Sequence, residues 1–122
     1  MTTGAGFDLC EISRMEKLLE NDRFLERFFT AEEIAYIRSR GRNAASSMAG
    51  IFAAKEAFAK ALGTGIAFEL KEVGVIHSET GAPEYRLSGK AAELGKGNRF
   101  FLSISHDGGM AGAVCVREGV TI

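Results

Sequence analysis

The stretch from Ala44 to Leu62 constrains this chain more than any other. Alanine dominates it, no proline interrupts it, and Gly63 follows at once, so it reads as one long helix with a glycine stop. Met48, Ile51, Phe52, Phe58 and Leu62 supply its buried stripe, and the alanines between them admit close neighbours. Lys55, Glu56 and Lys60 interrupt this apolar surface. Charges in a helix that must be packed call for a reason.

Other elements order themselves around that helix. Gly4 to Leu9 reads as a short strand with Asp8 near its end, Gly4 and Gly6 permitting close backbone approach. A helix follows, with Ile12, Met15, Leu18 and Leu19 on one face, until Asn21-Asp22 interrupts it. Phe24, Leu25, Phe28 and Phe29 form a short apolar helical segment. Thr30 and Glu33 make a capping box for a helix that turns Ile34 and Ile37 inward and ends at Gly41.

Beyond Gly63 the period changes. Val73 and Val75 belong to a strand, Glu79 to Pro83 to a turn with Gly81 suited to positive φ, and Glu84 to Leu87 to the returning strand. Ser88 can cap a short helix through Leu94. Phe100, Leu102, Ile104 and His106 share one face of a further strand, Ser103 and Ser105 the other. Asp107-Gly108-Gly109 turns the chain into a last strand from Met110 to Arg117. The expectation is an α+β fold in which N-terminal helices pack on a mostly antiparallel sheet. At 122 residues, without linker, repeat or low-complexity tract, it is expected to be a single domain, 1–122.

Composition excludes several classes of function. A net charge of −1 argues against bulk nucleic-acid binding. No apolar run approaches the roughly 20 residues that span a bilayer, and the start lacks the basic and apolar regions of a secretory signal. Cys10 and Cys115 have no metal-ligand spacing and read as small apolar packers in a reducing, cytoplasmic setting. Basic residues nevertheless cluster: Arg14, Lys17, Arg23 and Arg27 crowd the first third, and Arg38, Arg40 and Arg42 follow closely. They form either a solvated face balanced by Glu16, Glu20 and Glu26 or a docking patch for an acidic partner.

Two carboxylates far apart in sequence, Asp8 and Glu56, could build a divalent-cation site beside lysines. Mg²⁺ needs only one or two carboxylates when substrate phosphates and water complete its octahedron. Simpler readings stay open. Asp8 can be a turn or cap residue, and Glu56 can pair with Lys60 at i,i+4 for about 0.2–0.5 kcal/mol. Gly63-Thr64-Gly65 could let backbone amides approach a phosphate, but a helix stop needs no further role. A lone histidine such as His106, at the end of an apolar strand face, is more often a hydrogen-bonded structural residue than a general base.

Four segments taken in order carry a family resemblance. They are Gly4-Ala5-Gly6-Phe7-Asp8-Leu9; Arg23-Phe24-Leu25-Glu26-Arg27 leading to Thr30 and Glu33; Phe52-Ala53-Ala54-Lys55-Glu56-Ala57 through Lys60 to Gly63-Thr64-Gly65-Ile66; and Ser103-Ile104-Ser105-His106. Across essentially its whole length the chain resembles the holo-[acyl-carrier-protein] synthases, the small bacterial class of 4′-phosphopantetheinyl transferase. That resemblance implies an enzyme moving phosphopantetheine from coenzyme A to a serine of apo-acyl carrier protein, and leaving adenosine 3′,5′-bisphosphate. It implies Mg²⁺ on Asp8 and Glu56, phosphate contact from Lys60, and Glu56 or a metal-linked water as proton acceptor. Gly81 and Pro83, in the Gly-x-Pro turn, and His106 are expected beside the coenzyme, and Arg14 and Arg23 against the acidic carrier. A homotrimer with active sites between subunits is implied as well. Lys55 has no settled role: it can contact phosphate or lie at the interface. One departure stands out, since the family's arginine just before its Phe-Ala-Ala-Lys-Glu run is replaced here by Ile51. A non-catalytic homologue that binds the carrier or coenzyme A is the alternative this departure suggests.

Overall fold

The computed structural model describes residues 1–120. Strand β1 (Thr2–Glu11) leads into three short helices, α1 (Ile12–Glu16), α2 (Asp22–Phe28) and α3 (Ala31–Arg38). A 3₁₀ turn at Gly41–Asn43 precedes α4 (Ala44–Leu62). Then come a second 3₁₀ turn (Leu70–Glu72), the hairpin β2 (Val73–His77) and β3 (Pro83–Leu87), α5 (Gly89–Leu94), and the long strands β4 (Asn98–Asp107) and β5 (Met110–Gly119). β1, β5 and β4 form an antiparallel sheet with β5 at its centre, and β2 and β3 form a separate antiparallel pair. The α+β expectation and the antiparallel pairing hold.

α4 lies against the inner face of the larger sheet, with the hairpin on another side. It ends as expected at Gly63, whose φ of 77° is the left-handed conformation that closes a helix. The sheet meets the helix with small residues: Gly6 and Cys10 from β1, and Ala111, Ala113 and Cys115 from β5. These face Ala53, Ala54, Ala57 and Ala61, all buried. Backbones therefore approach closely. A Cβ on Gly6 would collide with the Ala57 carbonyl and lie 2.7 Å from Ala61 N, so only glycine fits there. Larger side chains fill the ends of this layer. Phe24, Phe28 and Phe29 gather around Phe52, and Phe58 packs between Phe68, Tyr85 and Phe100. Full burial of a phenylalanine such as Phe29 or Phe58 contributes about 2–3 kcal/mol.

Three local expectations are corrected. The helix carrying Met15 stops at Glu16; Leu18 and Leu19 lie in the following turn. Asn21 does more than interrupt, because its side chain accepts from Phe24 N and starts α2. Ser88 makes no side-chain cap for α5; the carboxylate of Glu72 accepts from Ala91 N at 3.1 Å instead. The Thr30–Glu33 capping box is present in both directions.

Among the described residues nothing covers the opposite face of the larger sheet. Phe7, Leu9 and Phe101 are each more than half exposed there, with Val114 beside them. Phe7, Leu9 and Val114, together with Ser103, Ser105 and Gly112, line a shallow hollow of about 260 Å³. Among the described residues no helix is long and apolar enough to cross a membrane.

Candidate active site

Phe52, Glu56 and Lys60 recur at four-residue spacing along α4 and so share one of its faces. Inward-facing positions of β1 alternate with outward ones, and Gly6, Asp8 and Cys10 turn toward the helix. Gly6 brings the two backbones into contact. Asp8, two residues on, is thereby delivered to the Glu56–Lys60 stretch.

The result is a compact charged cluster. Lys60 Nζ donates to Asp8 Oδ1 at 2.9 Å and to the Phe7 carbonyl at 3.1 Å. The Lys60–Glu56 helix pair considered from sequence does not form; the ion pair runs across to the strand instead. Glu56 is half-buried, and its carboxyl is raised above the usual carboxylate range first by that burial and then by the charge of Asp8. Arg14 and Lys60 oppose the rise. The Lys60 ammonium is raised by its hydrogen bond and charge attraction to Asp8.

Arg14 stands nearer to this cluster than the docking role alone implied. Its guanidinium lies 5.4 Å from the centre of the Phe52 ring, one turn before Glu56. No spacing in the sequence joins Arg14 to α4, because α1 reaches it only through the tertiary fold. Arg14 and Arg23 lie on different helices, α1 and α2. Arg23 and Arg27 border a second hollow with Asn21, Phe24 and Phe28.

The remaining candidates lie elsewhere. His106 Nε2 lies 2.9 Å from the Ser46 carbonyl, and since a carbonyl only accepts, Nε2 carries the hydrogen and Nδ1 is left free. Gly50 makes room for that contact: a Cβ there would come within 3.2 Å of His106 Nε2. Ser46 precedes Glu56 by ten residues, about 15 Å along a helix. His106 therefore marks the first half of α4, and Asp8, Glu56 and Lys60 the second. Gly81 (φ 88°) and Pro83 form the exposed end of the hairpin, beside a hollow of about 380 Å³ lined by Tyr36, Arg40 and His77. His77 stacks on Tyr36 at 4.1 Å, and its imidazole is lowered by burial and by Arg40.

Two further positions depart from the reading of the sequence. Lys55 is wholly buried and donates to Glu33 Oε1 (2.8 Å), the Leu70 carbonyl (3.1 Å) and the Val73 carbonyl (2.8 Å). Its ammonium has no path to a phosphate. Ile51 is equally buried, part of the core rather than a vacant surface position. An arginine there would have to thread its guanidinium out of that core.

As to metal, the described residues contain no group of three or more His, Cys, Asp or Glu side chains that could hold an ion. Asp8 and Glu56 nonetheless fit a hard cation. They are two adjacent oxygen donors, their mutual repulsion is relieved by positive charge, and substrate oxygens with water can complete the shell.

Comparison with known proteins follows the same lines. Residues 4–113 match the family model of the 4′-phosphopantetheinyl transferase superfamily. The chain is 46% identical over 123 residues to a holo-[acyl-carrier-protein] synthase of Treponema denticola, covering 98% of this chain and all of that protein. It is 44% identical over 126 residues to the Geobacter sp. (strain M21) protein of the same name, covering 97% and 99%. Among solved structures, the Helicobacter pylori synthase in complex with coenzyme A superposes with a TM-score of 0.80 at 36% identity, covering 93% of this chain and 99% of that one. The Bacillus anthracis synthase, in complex with CoA (3′,5′-ADP), gives 0.82 at 35% identity and covers 98% of each.

Proposed function

The chain belongs to the 4′-phosphopantetheinyl transferase superfamily, and from that premise we propose that it transfers 4′-phosphopantetheine from coenzyme A to a serine of an apo-acyl carrier protein. The observation that carries this reading is the meeting of Asp8, Glu56 and Lys60 where β1 crosses α4, in a chain of this family. The names of the relatives and the coenzyme A bound in two similar structures support both partners.

Asp8 and Glu56 would hold Mg²⁺. When bound, the metal would neutralise the coenzyme's diphosphate and favour departure of adenosine 3′,5′-bisphosphate. Lys60, exposed at the mouth of the cluster, supplies a further positive charge for a phosphate oxygen. The serine oxygen forms a bond to the β-phosphorus as the bond to the bridging diphosphate oxygen breaks. Its proton passes to Glu56, directly or through a water. Arg14 and Arg23 receive the acidic carrier from α1 and α2.

The uncovered sheet face supports a reading in which the chain assembles. Phe7, Leu9, Phe101 and Val114 make an apolar surface of the kind that marks association, and a homotrimer would bury it. The two halves of α4 then serve different sites: Asp8, Glu56 and Lys60 in one, and His106 with Gly81 and Pro83 in the neighbouring one. The free, buried Cys10 and Cys115 suit a reducing cytoplasm.

The test is direct. Incubated with apo-carrier, coenzyme A and Mg²⁺, the protein should convert the carrier to its phosphopantetheinylated mass. An unmodified carrier, with a known transferase succeeding in parallel, would overturn the enzymatic reading in favour of a binding homologue.

A further inference from the structure

We infer that Lys55 and Tyr85 are positioning residues for Glu56, by which the β2–β3 hairpin grips α4 at the two residues immediately before that carboxylate. The inference rests on the transferase reading above. Lys55 sends all three of its donors to acceptors outside α4, two of them the carbonyls of Leu70 and Val73 at the entry to β2. Its ionic partner Glu33 continues the chain of contacts. Oε1 of Glu33 also accepts from Thr30 N at 2.8 Å, and Oε2 accepts from Val75 N at 2.7 Å, so one carboxylate joins α3, α4 and β2. From β3, the Tyr85 hydroxyl donates to the Ala54 carbonyl at 2.6 Å, and Tyr85 is the register partner of Val75.

Stability alone gives little reason for this network. Removing a lysine and a glutamate from water costs several kcal/mol per ion, and well-packed apolar residues often do as well or better in their place. What the ion pair supplies is direction. Gly6 of β1 presses on α4 at Ala57 and Ala61, and the hairpin holds it at Ala54 and Lys55, so helix rotation is fixed from two elements. Rotation matters because a carboxylate about 6 Å from the axis moves about 1 Å for every 10°. Misplacement on that scale can cost about a hundredfold in rate.

Two variants test the role. Tyr85→Phe removes only the hydroxyl and leaves Ala54 O its place in the helical ladder. Lys55→Met combined with Glu33→Gln removes the buried charges together, and the amide oxygen that replaces the carboxylate can still accept from Thr30 N. Melting temperature, kcat, and KM for coenzyme A and for apo-carrier would be measured well below the melting point. The expected result is near-parental KM with kcat lowered about tenfold in each variant. Melting should be near-parental in Tyr85→Phe and lowered in the double variant, where Val75 N and the Leu70 and Val73 carbonyls lose their partners. A purely structural role predicts that kcat stays within about twofold of the parent once the variant is folded, and that outcome in Tyr85→Phe overturns the inference. If the double variant does not fold, Tyr85→Phe decides alone. A parent that fails to transfer at all sinks the transferase reading, and this one with it; an active parent beside an unaffected Tyr85→Phe sinks only this one.

Discussion

Glu56 carries the clearest consequence at the scale of a single residue. Its folded-state carboxyl is raised by burial and by Asp8, so the folded chain binds the proton more tightly than the unfolded one. The associated stability is therefore fully present below the ordinary carboxylate range and is lost as pH rises through the raised value. A cation on Asp8 and Glu56 must displace that proton, so Mg²⁺ should raise the melting temperature near neutral pH and progressively less on acidification. Thermal melts with and without Mg²⁺ across the acid range would show this; a metal shift independent of pH would place the ion elsewhere. Arg23→Glu should raise KM for the carrier in a salt-sensitive way with little change in kcat, whereas Arg14→Glu should also lower kcat because Arg14 stands close to Glu56. Equal effects from the two in a kinetic series would reduce Arg14 to docking alone. Asp8, Glu56 and Lys60 were legible as candidates because family motifs preserve their order. Lys55 was not: a buried lysine and a phosphate-binding one are the same letter, and its partners Glu33, Leu70 and Val73 are brought in by folding.

Among the elements, β1 and α4 define the site by how closely they touch. Gly6→Ala should push them apart, because its Cβ has no room beside Ala57 and Ala61, at a cost of about 1–3 kcal/mol in denaturant unfolding. Activity at full folding should fall too, since Asp8 moves with the strand. An alanine variant as stable and active as the parent would show that the strand can give. α4 was readable to its last residue because alanine content and a glycine stop are local signals. The ends of α1 and the cap of α5 were less so. The turn after Glu16 gives way to a cap at Asn21, and α5 takes its cap from Glu72, nineteen positions from the amide it serves.

For the whole molecule, the proposal that two ends of α4 serve different sites makes assembly and activity inseparable. Val114→Glu places a charge in the uncovered apolar face without touching Asp8, Glu56, Lys60 or His106. Sedimentation should report a folded but smaller species, with transfer lost in proportion; a variant that assembles and turns over like the parent would remove that face from the account. The strand alternation that turns the half-buried Phe100, Leu102 and Ile104 toward the core was visible in sequence. That Phe101, from the same strand, would meet Phe7, Leu9 and Val114 outside depended on register between β1, β5 and β4. The most direct measurement of the central claim is the intact mass of apo-carrier after incubation with coenzyme A, Mg²⁺ and either the parent or Glu56→Gln. The parent should add phosphopantetheine, and the folded variant should do so at least about a hundredfold more slowly. Near-parental conversion by Glu56→Gln would contradict the account and return that carboxylate to an ordinary helix residue.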